Sequence, residues 1–415
     1  MREMKDSGLQ WAGDIPQYWN IAKGKHFMAV LERPVRDDDN VITCFRDGEV
    51  TLRSNRREDG FTVATVEAGY QGIEPGDLVV HGMDGFAGAI GISDSRGKGT
   101  PALNVLSCSE NKKYIMYLLR AMAYTEVFMA LSTGIRVRTC DTNWKKLKSL
   151  DYLIPPADEQ QCIADFLDAK CAEIDALTAD IQTQIDTLEQ YKRSVITETV
   201  TKGLNPNAEM KDSGIQWIGN MPAHWDVIRG KYILRYMQKP VREDDGVITC
   251  FRDGEVTLRS NRREEGFTMS DKEIGYQGID VGDLVVHGMD GFAGSIGISD
   301  SRGKASPVLN VLDTDQCKRY IMYYLRSMAY SDVFLALATG IRVRSCDLRW
   351  NKLAELSYPV PPLDEQNAIV KHIDSVLSKA EAVIADKKAQ LATLDEYKKS
   401  LIFEYVTGKK EVPVS

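Results

Sequence analysis

The chain has no long apolar run and no paired cysteines. None of its apolar stretches approaches the roughly 18 residues that cross a bilayer, and residues 1–6 lack the apolar stretch of a signal peptide. Both absences predict a cytoplasmic chain with no membrane partner. The eight cysteines are scattered without a Cys-x-x-Cys pair, which argues against a zinc ribbon and a disulfide framework. We expect reduced thiols that fill core space.

The familiar motifs of catalysis and cofactor binding are also missing. The glycine-rich segment 91–98 is too long for a phosphate loop, and Lys98 is followed by Gly99 rather than by Ser or Thr. Gly82, Gly85, Gly88 and Gly91, which lie three residues apart, do not form the dinucleotide fingerprint. The acidic run 37–39 could hold a metal ion, but its counterpart 243–245 has no accompanying ligands, so a solvated turn is the better interpretation. The sequence therefore predicts no catalytic residue, no metal site and no cofactor.

The net charge of -8 is unusual for a nucleic-acid-binding protein, because phosphates are bound by lysines and arginines that face the duplex. Net charge does not describe how the charges are distributed. The acidic residues are dense in two segments with helical patterns, whereas the arginines cluster elsewhere. Local basic surfaces on an acidic chain are compatible with this distribution.

The chain consists of one unit that occurs twice, with an offset of 206 residues. Residues 4–8 recur at 210–214, and the 18 residues 41–58 recur unchanged at 247–264. The six tryptophans follow the same offset. A unit of this size that occurs twice is a duplicated domain and not a solenoid repeat. Whatever surface the first copy presents, the second copy presents nearly the same one.

Each copy changes character near residue 156. Before it, short β-branched or apolar runs separated by glycines predict strands at 41–45, 77–81 and 89–92, and the spacing of apolar residues predicts a helix at 113–131. The first part of each copy is therefore predicted to be a mixed α/β domain. After it the pattern is purely helical.

The helical part shows the seven-residue repeat of a coiled coil. One row consists of Ile174, Ile181, Leu188 and Val195, and a second row three residues later consists of Leu177, Gln184 and Tyr191. The second copy carries Ala380, Val383, Leu391, Leu394, Tyr397 and Leu401, with an interruption at Lys387. A narrow apolar seam needs a partner, so we expect the two helices to pack antiparallel. The predicted fold class is α+β, with two mixed α/β domains separated by two long antiparallel coiled-coil helices and a pseudo-two-fold internal repeat.

Several short motifs occur in the same order in both copies. Residues 4–11 with Trp19 are followed by Gly-Asp-Leu-Val at 76–79, Thr-Gly-Ile-Arg at 133–136, and Asp-Glu-Gln at 158–160 after two prolines. All of them recur in the second half. In this order they resemble the specificity subunits of Type I restriction-modification systems, and the resemblance covers nearly the whole chain.

The resemblance implies target-recognition domains at residues 1–156 and 207–362, a central helical spacer at 157–206 and a C-terminal helical spacer at 363–415. Each domain would read one half of a bipartite site on double-stranded DNA. The helices would hold two adenine-methyltransferase subunits and, through them, restriction and translocase subunits. The subunit itself would be non-catalytic, and the Asn-Pro-Pro-aromatic motif of amino-methyl transfer is absent. Because the two domains are near copies, we predict an interrupted palindrome as the target.

Candidate DNA contacts are basic, amide and histidine side chains that both copies keep. Arginine and asparagine pair with guanine and adenine edges, and cations bind phosphates. In the first copy the candidates are Arg46, Arg53, Asn55, Arg56, Arg57, His81, Arg96, Lys98, Arg136 and Arg138. In the second copy they are Arg252, Arg259, Asn261, Arg262, Arg263, His287, Arg302, Lys304, Arg342 and Arg344.

Some of these candidates have an equally simple structural interpretation. Arg96 and Lys98 flank a glycine, and we interpret them as a turn that offers N–H groups and cations to phosphate. Arg136 and Arg138 follow a helix and a glycine, so phosphate contact and helix capping are equally supported. For His81 a structural role is favoured over a base contact.

Two other functions are compatible with parts of the pattern. In the first, the chain is a protein-interaction scaffold whose domains bind protein while the helices only dimerise. Replacing the arginines by alanine separates this scaffold from a DNA-binding subunit, because only the latter loses DNA binding and its salt dependence. In the second, the chain is itself a nuclease or methyltransferase, which the missing motifs disfavour.

Overall fold

The computed structural model describes residues 2–56, 68–130, 142–262, 274–336 and 348–413. The chain divides into two compact units. Unit 1 consists of Met1–Ile181 and Ala389–Ser415, and unit 2 of Gln182–Lys388. The division of the sequence into two recognition domains and two spacers stays a prediction.

Unit 1 is built from short strands, short helices and parts of two long helices. Its strands are β1 (Met4–Asp6), β2 (Asp14–Pro16), β3 (Asn20–Lys23), β4 (Met28–Val30), β5 (Ile42–Cys44), β6 (Val50–Leu52), β7 (Gln71–Ile73), β8 (Leu78–His81), β9 (Ile90–Ile92), β10 (Gly97–Gly99), β11 (Leu103–Cys108) and β12 (Asp151–Ile154). Its α-helices are α1 (Lys112–Tyr124), α2 (Val127–Ala130), α3 (Trp144–Leu147) and the first part of α4 (Ala157–Lys202), together with the last part of the final helix of the chain.

Unit 2 repeats this order of elements. Its strands are β13 (Met210–Asp212), β14 (Asn220–Pro222), β15 (Asp226–Arg229), β16 (Leu234–Tyr236), β17 (Ile248–Cys250), β18 (Val256–Leu258), β19 (Gln277–Ile279), β20 (Leu284–His287), β21 (Ile296–Ile298), β22 (Gly303–Ala305), β23 (Leu309–Thr314) and β24 (Ser357–Val360). Its helices are α5 (Gly230–Ile233), α6 (Lys318–Tyr330), α7 (Val333–Ala336), α8 (Trp350–Glu355) and α9 (Leu363–Val406), whose last part belongs to unit 1.

An antiparallel sheet in the order β4-β11-β8-β9 separates two cores in unit 1. Because side chains alternate along a strand, Leu78 and Val80 join the larger core with α1, whereas Val79 faces a smaller core with Ile42 and Val50 of the β5–β6 hairpin. Unit 2 repeats both cores around the sheet β16-β23-β20-β21. The hairpin thus forms an outer layer on the sheet face opposite α1.

The three predicted strands are confirmed as β5, β8 and β9. The predicted helix 113–131 is wrong in its continuity, because α1 ends at Tyr124 and α2 begins at Val127. Glu126 lies between them with a φ of 61°, a left-handed conformation that ends a right-handed helix. Asp332 has a φ of 54° at the same position in unit 2.

The long helices α4 and α9 pair in antiparallel fashion within each unit. In unit 1 the rings of Phe166 and Tyr405 lie 4.5 Å apart, and Lys398 Nζ lies 2.6 Å from Asp175 Oδ1. The two helices therefore run in opposite directions. In unit 2 Lys192 pairs with Glu381 at 3.4 Å, and Lys387 donates to Gln184. These contacts confirm the predicted antiparallel coiled coil.

Two rows of side chains form the contacts of the coiled coil, and the second row differs from the prediction. Ile174 and Ile181 are buried as predicted. The second row lies four residues after the first and not three, so Ile185 is buried whereas Leu177 and Tyr191 are 47% and 51% exposed. The same shift by one residue occurs in α9. The predicted Val383 and Tyr397 are exposed, whereas the following residues, Ile384 and Lys398, are buried and partly buried.

Neither a membrane span nor a metal cluster occurs in the described part of the chain. No helix there is long and apolar enough to cross a bilayer. No three His, Cys, Asp or Glu side chains come together there as ligands of a metal ion. The six cysteines within the described ranges are free thiols, and Cys44, Cys171 and Cys250 are buried.

Candidate nucleic-acid interface

Three segments that are identical in the two copies meet in each unit. They are residues 41–58, 76–88 and 90–98, with counterparts at 247–264, 282–294 and 296–304. In unit 1 bridges join Val41 to Lys98 and Val50 to Ser93, and unit 2 has both equivalents. We call the described parts of these three segments the shared face of a unit. Segments that are distant in sequence are thus brought together at the layer formed by the hairpin.

Glycines let the segments of the shared face approach at backbone distance. A Cβ atom on Gly91 would lie 2.0 Å from Gly48 O, and one on Gly88 would lie 2.8 Å from Arg46 O. In unit 2 a Cβ atom on Gly297 would lie 1.9 Å from Gly254 O. No side chain fits such gaps. The turn of the hairpin therefore lies directly against the β8–β9 loop.

Arg56 is the most firmly oriented of the exposed arginines on the hairpin. Its Nη1 lies 2.7 Å from Asp47 and 3.0 Å from Glu49. Its guanidinium stands 4.3 Å from the centre of the Phe45 ring, an arrangement that adds cation–π attraction. Arg262 has the equivalent contacts at 2.7, 3.0 and 4.2 Å. Both guanidinium groups are thus held in one orientation, which suits a base edge better than a loose phosphate contact.

Arg46 connects the hairpin to the β8–β9 loop. Its Nη2 lies 2.8 Å from Asp84 Oδ1, and its side chain is 69% exposed. Arg252 and Asp290 form the same pair at 3.1 Å. An exposed pair of this kind contributes little to stability. Its guanidinium is therefore available to exchange the carboxylate for a phosphate at small cost.

Arg53 and Asn55 lie on a short 3-10 helix that follows β6. Arg53 Nε donates to Thr43 Oγ1 at 3.1 Å, and Asn55 Nδ2 donates to Thr51 Oγ1 at 2.8 Å. Unit 2 repeats both hydrogen bonds at the same distances with Arg259 and Asn261 as donors. The hydroxyl groups of the strands thus orient these two side chains.

Arg96 and Lys98 lie on or beside a strand, so their prediction as a turn is wrong. Gly97–Gly99 is β10, and the N–H of Lys98 donates to Asn40 O at 2.8 Å. Arg96 donates to both carboxylate oxygens of Asp39, at 2.7 and 2.6 Å, and also pairs with Glu74.

The pairing of Arg96 has an electrostatic signature. The hydrogen bond to Arg96 lowers the pKa of the Asp39 carboxyl group, and the same bond raises the pKa of the guanidinium. Arg302 with Asp245 and Asp280 repeats the cluster. This pairing gives Arg96 and Arg302 a structural role, and their contact with DNA, like that of Lys98 and Lys304, stays a prediction.

His81 organises the loop that follows β8. Its Nδ1 accepts hydrogen bonds from the N–H groups of Met83 (3.2 Å) and Asp84 (3.0 Å). Burial lowers the pKa of His81, so the ring is neutral at pH 7 with the proton on Nε2. His287 has the same contacts and the same direction of shift. This geometry supports the favoured structural role, and a base contact stays a prediction.

Some candidate residues lie outside the described ranges, and the shared face contains further residues that were not among the candidates. Six predicted residues lie outside the described ranges: Arg57, Arg136, Arg138, Arg263, Arg342 and Arg344. Sequence reasoning did not select the acidic partners Asp47, Glu49 and Asp84 or the exposed Met83. All four are within segments that both copies share without change, and this identity is the signal that could have identified them.

The fold and the shared face define a class: a duplicated α+β protein in which two units present the same surface and share two long helices. No family model matches the chain. Its curated relatives are specificity subunits of type I restriction enzymes, which confirms the predicted resemblance.

Two of these relatives match nearly the whole chain. One, from Methanocaldococcus jannaschii and named as the MjaX specificity subunit, is 23% identical over 444 residues and aligned over 96% of this chain and 95% of its own. The StySPI specificity subunit of Salmonella potsdam is 18% identical over 424 residues, with coverage of 96% and 90%.

A solved structure shares the fold of the chain. It comes from work on complex assembly and conformational transition of the type I restriction-modification (R-M) system. The TM-score is 0.66 at 12% identity, and the match covers 95% of this chain and 99% of the other. A match of this extent supports the α+β fold class with the paired helices α4 and α9.

Proposed function

We propose that the chain is the non-catalytic DNA-recognition subunit of a type I restriction-modification complex. Each unit reads one half of a bipartite target through its shared face. Arg56 and Arg262 read base edges, Arg46 and Arg252 bind phosphates, and Asn55 and Asn261 support both roles.

The observation that carries this proposal is the convergence of the identical segments. If the two units only packed against different protein surfaces, identity would have no reason to be concentrated at one face. The segments 41–58, 76–88 and 90–98 are separate in sequence, yet their described parts meet in one layer that carries oriented arginines. Two identical faces are what a target with two identical half-sites requires.

The symmetry of the target is supported by an exchange of helices. In unit 1 Tyr114 Oη donates to Val406 O at the end of α9, at 3.2 Å. In unit 2 the equivalent Tyr320 Oη donates to Val200 O near the end of α4, at 3.1 Å. Equivalent tyrosines thus contact the end of α9 in unit 1 and the end of α4 in unit 2, so the two helices exchange roles between the units. The target we propose is an interrupted palindrome, with opposite strands read by the two units.

The helices and the globular parts have separate tasks in this proposal. Residues 1–156 and 207–362 act as target-recognition domains, and residues 157–206 and 363–415 act as spacers. The spacers hold two adenine-methyltransferase subunits and, through them, restriction and translocase subunits. The complex works in the cytoplasm, where its substrate DNA is found.

The direct test is selection from a library of duplexes. The chain is assembled with its methyltransferase subunits, and bound duplexes are sequenced. We expect one motif and its inverted repeat, separated by a fixed gap. Two unrelated half-sites would contradict the symmetric target, and recovery of no motif would contradict DNA recognition itself.

A charge-matched pair of variants tests the assigned residues. Arg56→Ala with Arg262→Ala should weaken specific binding by about tenfold or more and relax the motif where the arginines contact bases. Lys23→Ala with Arg229→Ala removes the same charge from exposed ion pairs on β3 and β15 and should leave the motif unchanged. Equal losses from both pairs of substitutions would show that only net charge matters.

A further inference from the structure

Each shared face exposes one large apolar side chain at a loop tip. Met83 and Met289 are both 55% exposed, and they occupy the same position in the identical segments 76–88 and 282–294. Isolated apolar groups on a surface are common. This pair differs because the backbone around it is fixed and because charged groups of the face lie next to it.

The loop that carries Met83 is held by the side chain of His81, by the residue that precedes β11 and by Thr142. The N–H of Met83 donates to His81 Nδ1, and Gly82 N donates to Ala102 O at 2.6 Å. Thr142 Oγ1 donates to His81 O at 2.8 Å. The loop in unit 2 has the first two of these bonds at 3.2 and 2.7 Å. The side chain of Met83 is therefore presented from a rigid position.

Charged partners adjoin this methionine in the loop. Asp84, the next residue, pairs with Arg46 of the hairpin. An apolar thioether and a guanidinium therefore project from the same part of the shared face. In the major groove an A·T pair differs from the others by the thymine C5-methyl group, which apolar side chains contact, while guanidinium groups bind guanine or phosphate.

We propose that Met83 and Met289 are specificity-determining residues that contact the methyl group of a thymine in each half-site. The inference rests on the proposed function, since it needs the shared face to meet DNA. It commits each half-site to one A·T pair at a position where the thymine methyl faces the loop.

The test replaces thymine by uracil in the duplex, which removes the methyl group and leaves the pairing edge intact. Duplexes of the selected motif carry uracil at one thymine position at a time, placed symmetrically in both half-sites. They are titrated with the methyltransferase-bound wild-type complex and with Met83→Ala plus Met289→Ala. The matched control is Met4→Ala plus Met210→Ala, because that pair is 40% exposed and lies outside the shared face on β1 and β13.

We expect the wild type to lose about tenfold in affinity at one symmetric thymine position. The Met83/Met289 variant should bind the thymine and uracil duplexes equally, and the control should behave as the wild type does. A wild type indifferent to every uracil, or a variant that keeps the full thymine preference, overturns the inference while DNA recognition stands. If the substitutions impair assembly with the methyltransferase and not the thymine preference, the methionines contact protein instead. A wild type that selects no motif overturns the proposed function and this inference with it.

Discussion

The two units keep one face unchanged while the contacts beneath it differ. In unit 1 Arg33 pairs with Asp77. In unit 2 the equivalent Lys239 bridges Asp280 and Asp283 at 2.8 and 2.6 Å. Different ion pairs thus support the same arrangement of hairpin and loop. The comparison separates two kinds of constraint. On the shared face the identity of each residue is kept, whereas beneath it only the arrangement of the backbone is kept and the ion pairs differ.

A second difference lies where the globular part of each unit meets a long helix. Trp19 Nε1 donates to Glu159 Oε2 at 2.9 Å in unit 1. In unit 2 His224 Nε2 and Glu365 Oε2 are 2.8 Å apart. The carboxylate of the first helical turn is used in both units, by Trp19 and Tyr18 in unit 1 and by His224, which stands at the position of Tyr18, in unit 2. The junction with the long helix therefore tolerates substitutions that the shared face does not show.

The largest effect is expected from Gly91→Ala, which puts a Cβ atom against Gly48 O. Overpacking against backbone costs about 3 kcal/mol, since neither chain segment can yield without losing its hydrogen bonds. The shared face of unit 1 should lose protection from hydrogen exchange while unit 2 keeps its own. The control is Gly246→Asn, because the equivalent residue in unit 1 is Asn40 and a Cβ there meets only the side chain of Leu258. Equal loss of protection in both units would contradict their independence.

The next effect distinguishes the two rows of the coiled coil. Ile185→Ala should lower the free energy of unfolding by about 2 kcal/mol, because this side chain is 5% exposed and its removal leaves a cavity. Leu177→Ala, at a side chain that is 47% exposed, should change it by less than about 0.5 kcal/mol. Urea unfolding of both variants measures the difference. A larger loss for Leu177→Ala would restore the row predicted from sequence.

This coiled coil shows what sequence could and could not give. The seven-residue row from Ile174 was readable, because apolar identity and burial coincide there. The second row was not, since Leu177 is apolar but exposed, whereas Lys192 is polar but 83% of its side chain is covered. Packing accepts the aliphatic stem of a lysine when its amine reaches a carboxylate, here that of Glu381.

The candidate site shows the same limit. The repeat selected the hairpin arginines without any structure, because an identical segment can be read directly. Sequence could not reveal that Arg96 binds Asp39, a partner 57 residues away along the chain. Long-range ion pairs depend on the fold, so an arginine that appears available in sequence can be fully engaged in the structure.

A smaller effect concerns the pH dependence of stability, which should differ between the units at the position of Asp313. Arg235 and Lys318 hold the pKa of Asp313 at about 2, and Ser107 stands at this position in unit 1. Since this pKa is depressed below the ordinary 3.8, its contribution is present above about pH 4 and is lost as the pH falls toward about 2. Asp313→Ser should therefore lower the urea midpoint at pH 6 and have no effect near pH 2. A difference that persists at low pH would assign the loss to packing and not to charge.

The smallest effect concerns the exchange of supporting ion pairs. Arg33→Lys installs in unit 1 the residue type that unit 2 uses as Lys239, and the shared face should keep its structure. Lysine keeps a cation beside the buried Asp77 carboxylate, as Lys239 does beside Asp283, so we expect a change below about 0.5 kcal/mol and an unaltered DNA motif. Arg56→Lys, an equally conservative change on the face, should weaken binding because a lysine cannot donate two parallel hydrogen bonds to a guanine edge. Were Arg33→Lys to alter the motif as strongly as Arg56→Lys, support and face would not be separable, and the identity of the shared segments would no longer mark the residues that read DNA.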